Sequence, residues 1–180
     1  MAAMSAAQSP DAAIAIAAYD ATWPLQFARE RARLAPALRE WIAGPIEHVG
    51  STAVPGLAAK PIIDIMIAVR SLDTSRGAVH ALASHGYLYA PYRAEVMHWF
   101  CKPSPAFRTH HLHLVPLGSP LWRERLLFRD YLRRHPATAD EYAVLKRHLA
   151  TVHPGDREAY TDAKGPFIRA VLEHAGGRAG

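Results

Sequence analysis

The sequence predicts one α+β domain in which a mixed sheet is flanked by helices. Its 180 residues match the size of one ordinary domain. Half of them are hydrophobic and 21% are charged, which is typical of a globular chain rather than a disordered one. Strand-like segments occupy the middle of the chain and helical patterns occupy both ends, so helices are expected to pack on a sheet.

The N-terminal segment is predicted to lack regular structure. Residues 1–12 are rich in alanine, carry no Lys or Arg and include Pro10, so they do not resemble a signal peptide. We expect a disordered extension there, followed by a domain that spans 13–176. No stretch approaches the ~20 apolar residues of a membrane-spanning helix. The expected location is therefore the cytoplasm, without a membrane partner.

The first half of the domain alternates strands with helices. Alternating apolar residues at 14–18 predict a short strand. A helix is predicted from Thr22 to Ile42, with Pro36 expected to kink or break it. Two further strands are predicted at 46–49 and at 62–69, and the second is apolar enough to be buried on both faces.

The second half continues this pattern and ends in helices. Residues 74–85 predict a helix that stops at Gly86. Pro and Gly signals separate three more strands, at 87–89, 96–101 and 110–115. Apolar stripes at helical spacing then predict three helices, over 121–132, 139–149 and 159–171.

The most informative segment joins the strand at 46–49 to the buried strand. Gly50 can let the backbone approach a ligand closely, and Ser51 and Thr52 add hydroxyl groups next to main-chain N–H donors. Asp64 is the one charged residue in its strand, and a buried carboxylate needs a cation or hydrogen-bond donors. The alternative is an ordinary turn and an aspartate bonded by main-chain N–H groups.

This segment resembles the signature of the GrpB family of bacterial proteins. That signature runs close to H-[IV]-G-S-T-[AS]-V-P-G-L-x-x-K-P-x-[IL]-D-I, and residues 48–65 follow it. Upstream, Tyr19-Asp20 and Trp23-Pro24 fit the family's opening, and the downstream segments 111–115, 128–133 and 160–168 fit as well. The resemblance spans residues 14–175.

GrpB proteins in turn resemble the polymerase-β-type nucleotidyltransferases, which implies a mixed sheet of that type. In that superfamily a Gly-Ser turn holds the triphosphate, and two carboxylates two residues apart bind Mg²⁺. Gly50, Ser51 and Asp64 match these places, but Met66 stands where the second carboxylate is expected. A thioether is a poor ligand for Mg²⁺, so the usual two-metal site cannot form.

Two histidines offer replacement ligands. His111 and His113 share one face of their predicted strand, since alternate strand residues point the same way. If that strand lies beside the Asp64 strand, the three residues are candidate catalytic residues and candidate ligands for a divalent ion (Mg²⁺, Mn²⁺ or Zn²⁺). The alternatives are direct contact with a substrate phosphate, or two histidines simply hydrogen-bonded within the sheet.

Other residues are candidate nucleotide or phosphate contacts. His48, Lys60 and Arg129 join Gly50, Ser51 and Thr52 in this set, each with a structural role as the alternative. Arg129 and Asp130 are not expected to face each other, because helix neighbours point about 100° apart.

Together these observations favour a nucleotidyltransferase-like protein that binds a nucleotide or another phosphorylated small molecule. Transfer of a nucleotidyl group to an acceptor is the reaction that the resemblance implies. The alternative is a catalytically degenerate nucleotide-binding or accessory module, which Met66 favours. A net charge of +5 without a basic stripe does not favour a nucleic-acid partner. No G-x₄-G-K-[ST] loop is present, so the chain is not itself a dephospho-CoA kinase.

Overall fold

The computed structural model describes residues 13–176 as helices packed on a five-stranded sheet, so the predicted extension at 1–12 lies outside the described residues. The helices are α1 (Trp23–Ala37), α2 (Gly77–Ala83), α3 (Pro120–Arg134), α4 (Pro136–Val152), α5 (Arg157–Asp162) and α6 (Gly165–Gly176). The strands are β1 (Ile42–Val49), β2 (Ile63–Val69), β3 (Leu88–Ala90), β4 (His98–Pro103) and β5 (Arg108–Pro116). None of the helices in this part of the chain is long and apolar enough to cross a membrane.

The sheet is mixed, as the sequence predicts. Its order is β1-β2-β5-β4-β3, with β2 and β5 parallel and the other neighbours antiparallel. The register of β2 and β5 sets Asp64 opposite His111 and Met66 opposite His113. The strands predicted to carry these residues are therefore direct neighbours.

Each face of the sheet is covered by its own helices. One face packs against α1 and α2 through Ile65, Ile67 and Leu112, among other buried residues. The second face packs against α3, where Met66 lies with Trp122 in a buried cluster. Helices α4 to α6 pack beside that second face and against residues 54–58, which follow the turn after β1. Asp64 belongs to this second face.

Several boundaries differ from the predicted ones. Residues 14–18 form only a single bridge, between Ala17 and Ala59. Helix α1 includes Pro36 in its final turn and ends at Ala37, short of the predicted Ile42, because proline lacks the N–H that bonds to the carbonyl four residues earlier. Strand β1 begins four residues earlier than predicted, since an irregularity between Ile42 and Ile46 accommodates the intervening residues. Helix α2 covers only the middle of the predicted 74–85 segment.

Candidate functional site

Asp64, His111 and His113 form one cluster on the α3 side of the sheet. His111 Nδ1 lies 3.0 Å and His113 Nε2 lies 3.5 Å from the same oxygen, Asp64 Oδ1. One ligand atom from each residue lies within 4.8 Å of the others. The Asp64 side chain keeps 24% of its surface exposed, so solvent reaches the cluster. The structure thus brings together the three residues proposed as catalytic residues and metal ligands.

The protonation states suit a metal ion. Burial raises the pKa of Asp64, but the hydrogen bonds from His111 and His113 outweigh it and hold that pKa well below its usual range. Burial, together with the charge of Arg125, lowers the pKa of His113 to about 3. An ionised carboxylate and a neutral imidazole are the forms that bind metals.

His111 leaves one ring nitrogen without a partner. A carboxylate only accepts hydrogen bonds, so in the neutral ring Nδ1 donates to Asp64 and the lone pair lies on Nε2. Nε2 is buried and has no hydrogen-bond partner among the described residues. Such orphaned acceptors are rare in folded proteins and call for a ligand, a water or an ion. Two imidazole nitrogens and one carboxylate oxygen form a donor set that suits Zn²⁺ better than Mg²⁺.

Position 50 requires glycine because the carboxylate of Asp64 lies directly against it. Its φ is +72° and its ψ is −174°, a region that is almost restricted to glycine. A methyl group added at Gly50 would lie 2.5 Å from Asp64 Oδ2. The close approach predicted for this glycine is therefore, in this structure, an approach to Asp64.

His48 and Thr52 fix the turn between β1 and β2. The Thr52 hydroxyl donates to the Ile62 carbonyl at 3.2 Å and accepts from His48 Nε2 at 2.9 Å. His48 pairs with Ile65 in the register, so it lies on the face opposite Asp64, where its ring stacks on Phe27 at 4.7 Å. Burial lowers the pKa of His48 to about 4, which leaves the ring neutral.

Ser51 differs from Thr52 in the hydrogen bonding of its hydroxyl. Its side chain is partly exposed at the start of the short 3₁₀ turn Ser51–Ala53. Within the described residues its hydroxyl makes no hydrogen bond, in contrast to that of Thr52. Ser51 is thus the hydroxyl of this turn that remains free to contact a ligand.

Arg129 and Lys60 bind other parts of the protein. Arg129 Nη1 donates to Glu47 Oε2 at 2.6 Å and to the His48 carbonyl at 3.0 Å, which ties α3 to β1. Its Nε donates to Asp130 Oδ1 at 2.7 Å. The expectation that these helix neighbours cannot face each other was wrong, because the long arginine side chain bends back. Lys60 Nζ lies 4.7 Å from the centre of the Tyr160 ring.

Two cations that sequence analysis did not select act on the site. Burial lowers the pKa of Lys164 to about 7, with the charges of Lys60 and Arg125 acting in the same direction. Burial also lowers the pKa of Arg125, and the charge of Asp64 partly opposes this. Lys164 Nζ lies 4.4 Å from the centre of the Tyr160 ring, but neither cation pairs with a carboxylate of the described residues.

Signals for both cations are present in the sequence. Lys164 belongs to the closing segment of the GrpB resemblance, and Arg125 lies one helical turn before Arg129 on α3. A third lysine, Lys146, is buried and donates to the Ala58 carbonyl. Burial lowers its pKa to about 7, and the charges of Lys164 and Lys60 add to this effect. The second face of the sheet therefore carries an excess of positive charge around Asp64.

Curated proteins of several bacteria are similar to this chain. UPF0157 protein PA4798 of Pseudomonas aeruginosa is 43% identical over 163 residues, which cover 87% of this chain and 65% of that protein. UPF0157 protein YqkA of Bacillus subtilis is 36% identical over 92% of this chain and 48% of its own length. A protein named dephospho-CoA kinase of Mycolicibacterium paratuberculosis is 30% identical over 96% of this chain and 48% of its length. The chain thus spans about half to two thirds of these relatives.

A solved structure and a family model complete the comparison. The crystal structure of conserved protein GrpB from Enterococcus faecalis matches with a TM-score of 0.80 and 34% identity, over 89% of this chain and 96% of that one. The model of the GrpB protein family matches residues 13–174, which include every strand and the Asp64 cluster. The chain belongs to the GrpB family.

Proposed function

We propose that this protein binds a nucleotide, or another phosphorylated small molecule, together with one divalent metal ion at Asp64, His111 and His113. The observation that carries the proposal is the cluster itself, an ionised carboxylate and two imidazoles at a solvent-reachable point of the sheet. A divalent ion held there would neutralise phosphate charge and polarise a phosphorus–oxygen bond. Zn²⁺ and Mn²⁺ suit the donor set better than Mg²⁺.

The surrounding cations favour an anionic ligand. Lys164 and Arg125 lie within electrostatic reach of Asp64, and neither pairs with a carboxylate of the described residues. Half-buried cations without a counter-ion are unfavourable, so a ligand that supplies several negative charges would stabilise this arrangement. A di- or triphosphate has that charge. The free hydroxyl of Ser51 adds a donor at the turn next to Asp64.

A nucleotide is the phosphate compound that the comparisons favour. A relative that is similar over nearly the whole of this chain bears the name of a kinase acting on dephospho-CoA, itself a nucleotide derivative. The reaction we propose is nucleotidyl transfer. An acceptor oxygen forms a bond to the α-phosphorus, the bond from that phosphorus to the β-phosphate oxygen breaks, and pyrophosphate leaves. The acceptor hydroxyl loses its proton.

The second candidate function is binding without turnover. Met66 is fully buried and lies under Trp122, so position 66 cannot supply the second carboxylate of the two-metal mechanism. A module that retains the phosphate site and lacks transfer activity would have the same ligand preference. Only product formation separates the two functions.

Calorimetric titration with Mn²⁺ and Zn²⁺, followed by nucleoside triphosphates, tests the proposal. We expect the wild type to bind one ion per chain and then the nucleotide, and Asp64→Asn to lose both while remaining folded. Asp73→Asn is the matched control, because that aspartate is exposed and pairs only with Arg76. Equal metal and nucleotide binding by wild type and Asp64→Asn would refute the site. Release of pyrophosphate distinguishes transfer from binding alone.

A further inference from the structure

Aromatic side chains extend from the cluster toward the surface. Trp99 pairs with His113 in the register of β4 and β5, so it lies on the same face as Asp64. Its ring centre is 5.2 Å from that of His111, and the two planes are tilted by 54°. Tyr92 follows, with its ring edge-on to Trp99 and the centres 6.2 Å apart. The series Tyr92, Trp99, His111 leads from the surface to Asp64.

Tyr92 is the ring of this series that faces solvent. It is 45% exposed, whereas Trp99 is 9% exposed. The guanidinium of Arg108 lies over the Trp99 ring at 5.2 Å, so Trp99 is covered there and serves as a support for Tyr92. Exposed aromatic surface beside a cluster of polar side chains is typical of a ligand-binding edge.

The loop that carries Tyr92 has an unusual backbone conformation. Arg93 has φ +49°, and it is the one non-glycine residue with positive φ in the described part of the chain. Such a conformation is unusual for a residue with a Cβ and concentrates at sites that hold ligands. Because the Tyr92 ring contacts Trp99, the loop between β3 and β4 lies on the same side of the sheet as the cluster.

We propose that Tyr92, supported by Trp99, stacks on the planar ring of the ligand, so that the substrate is a nucleoside phosphate rather than an inorganic polyphosphate or a sugar phosphate. This inference rests on the proposed function, since it states where the end of the ligand opposite its phosphates binds. The cluster and its cations Arg125 and Lys164 would take the phosphates, and Tyr92, separated from His111 by Trp99, would take the ring.

Stacking also predicts a broad choice of base. Every nucleobase offers a π face, so a stack on tyrosine contributes affinity with little discrimination between bases. We therefore expect adenosine and guanosine triphosphates to bind with similar affinity.

Titration of three variants with two kinds of ligand tests the inference. ATP or inorganic tripolyphosphate is titrated, in the presence of Mn²⁺, into the wild type, Tyr92→Ala and Tyr92→Phe. We expect Tyr92→Ala to weaken ATP binding at least about fivefold, from the usual contribution of one stacked base, and to leave tripolyphosphate binding unchanged. Tyr92→Phe keeps the aromatic ring, so we expect it to bind ATP as tightly as the wild type. Tyr89→Ala is the matched control, because that exposed tyrosine pairs with Phe100 and lies on the opposite face.

The outcomes separate the inference from the function on which it rests. If the wild type binds tripolyphosphate as tightly as ATP, or if Tyr92→Ala binds ATP like the wild type, the base subsite is refuted and the phosphate site stands. If the wild type binds neither ligand, the proposed function and this inference both fail. Equal melting temperatures for Tyr92→Ala and Tyr89→Ala would show that a loss of ATP binding does not come from unfolding.

Discussion

The turn at Gly50 allows a quantitative test, because replacing this glycine by alanine affects backbone strain and Asp64 together. The φ and ψ of Gly50 fall in a region where other residues cost about 1–3 kcal/mol. The added methyl group also lies 2.5 Å from Asp64 Oδ2, so the carboxylate must move away from its histidines. We expect Gly50→Ala to lower the free energy of unfolding by about 3 kcal/mol and the melting temperature by about 10 °C.

Gly56 supplies the matched control. Its φ is +79°, close to that of Gly50, but no atom lies within 4 Å of the position that a Cβ would take. Gly56→Ala should therefore cost about 1 kcal/mol, from the backbone alone. The difference between the two variants combines the collision with Asp64 and the less favourable backbone conformation of Gly50. In an Asp64→Ala background the carboxylate oxygen is absent, and the cost of Gly50→Ala should fall toward that of Gly56→Ala.

Two assays read out this prediction. Urea unfolding of the four variants gives the coupling energy between positions 50 and 64, expected at about 1–2 kcal/mol. Calorimetry with Mn²⁺ measures the site, and displacement of Asp64 should weaken metal binding at least about tenfold in Gly50→Ala alone. The reasoning is refuted if Gly50→Ala and Gly56→Ala destabilise equally and both retain the wild-type affinity for Mn²⁺.

Three further predictions concern the buried charges and Met66. Met66→Asp should destabilise the fold by more than about 3 kcal/mol without adding a second metal, because position 66 is fully buried; binding of two Mn²⁺ ions by this variant would contradict this. The pKa of Lys164 is lowered to about 7 in the folded chain. Above pH 7 the unfolded chain therefore keeps a proton that the folded chain has lost, so the free energy of unfolding rises with pH up to the ordinary pKa of lysine. The urea midpoint of Lys164→Met should therefore rise less between pH 7 and pH 9 than that of the wild type. An equal rise in both proteins would exclude a neutral Lys164 in the folded chain. Arg129→Met should cost about 2 kcal/mol, since it leaves Glu47 without its partner and Asp130 with only the longer contact to Arg133, at 3.5 Å. It should preserve Mn²⁺ affinity, whereas exposed Arg134→Met should be nearly silent in the same unfolding assay.

Local periodicity predicted part of the cluster. Alternate residues of a strand share a face, so the common face of His111 and His113 follows from the sequence alone. Their approach to Asp64 was conditional on β2 and β5 being adjacent, which local pattern cannot decide because α2, β3 and β4 lie between them in the chain. The boundaries near Pro36 and Ile42 were less predictable, because packing decides whether a last turn or a first strand residue is retained.

His48 illustrates what local pattern cannot predict. If strand β1 continued past Val49, His48 and Gly50 would share a face because they are two residues apart. The strand ends at Val49, however, and the positive φ of Gly50 turns the chain, so the register with β2 decides which side meets Asp64. Arg125 and Lys164 were not selected for a related reason. Arg125 lies on α3 and Lys164 lies between α5 and α6, some 60 and 100 residues after Asp64, so only tertiary packing brings their charges to it.

The position of Met66 explains why the site has one carboxylate and two imidazoles. Position 66 lies on the face of Asp64 but beneath α3, where it packs against Trp122, so a carboxylate there would be buried away from any ligand. His113, its partner across β5, points back toward Asp64 and supplies a nitrogen near the same carboxylate oxygen. Asp64 therefore keeps 24% of its side chain exposed, whereas position 66 is closed. Nitrogen donors disfavour Mg²⁺, so the proposed preference for Zn²⁺ or Mn²⁺ depends on how α3 packs on the sheet.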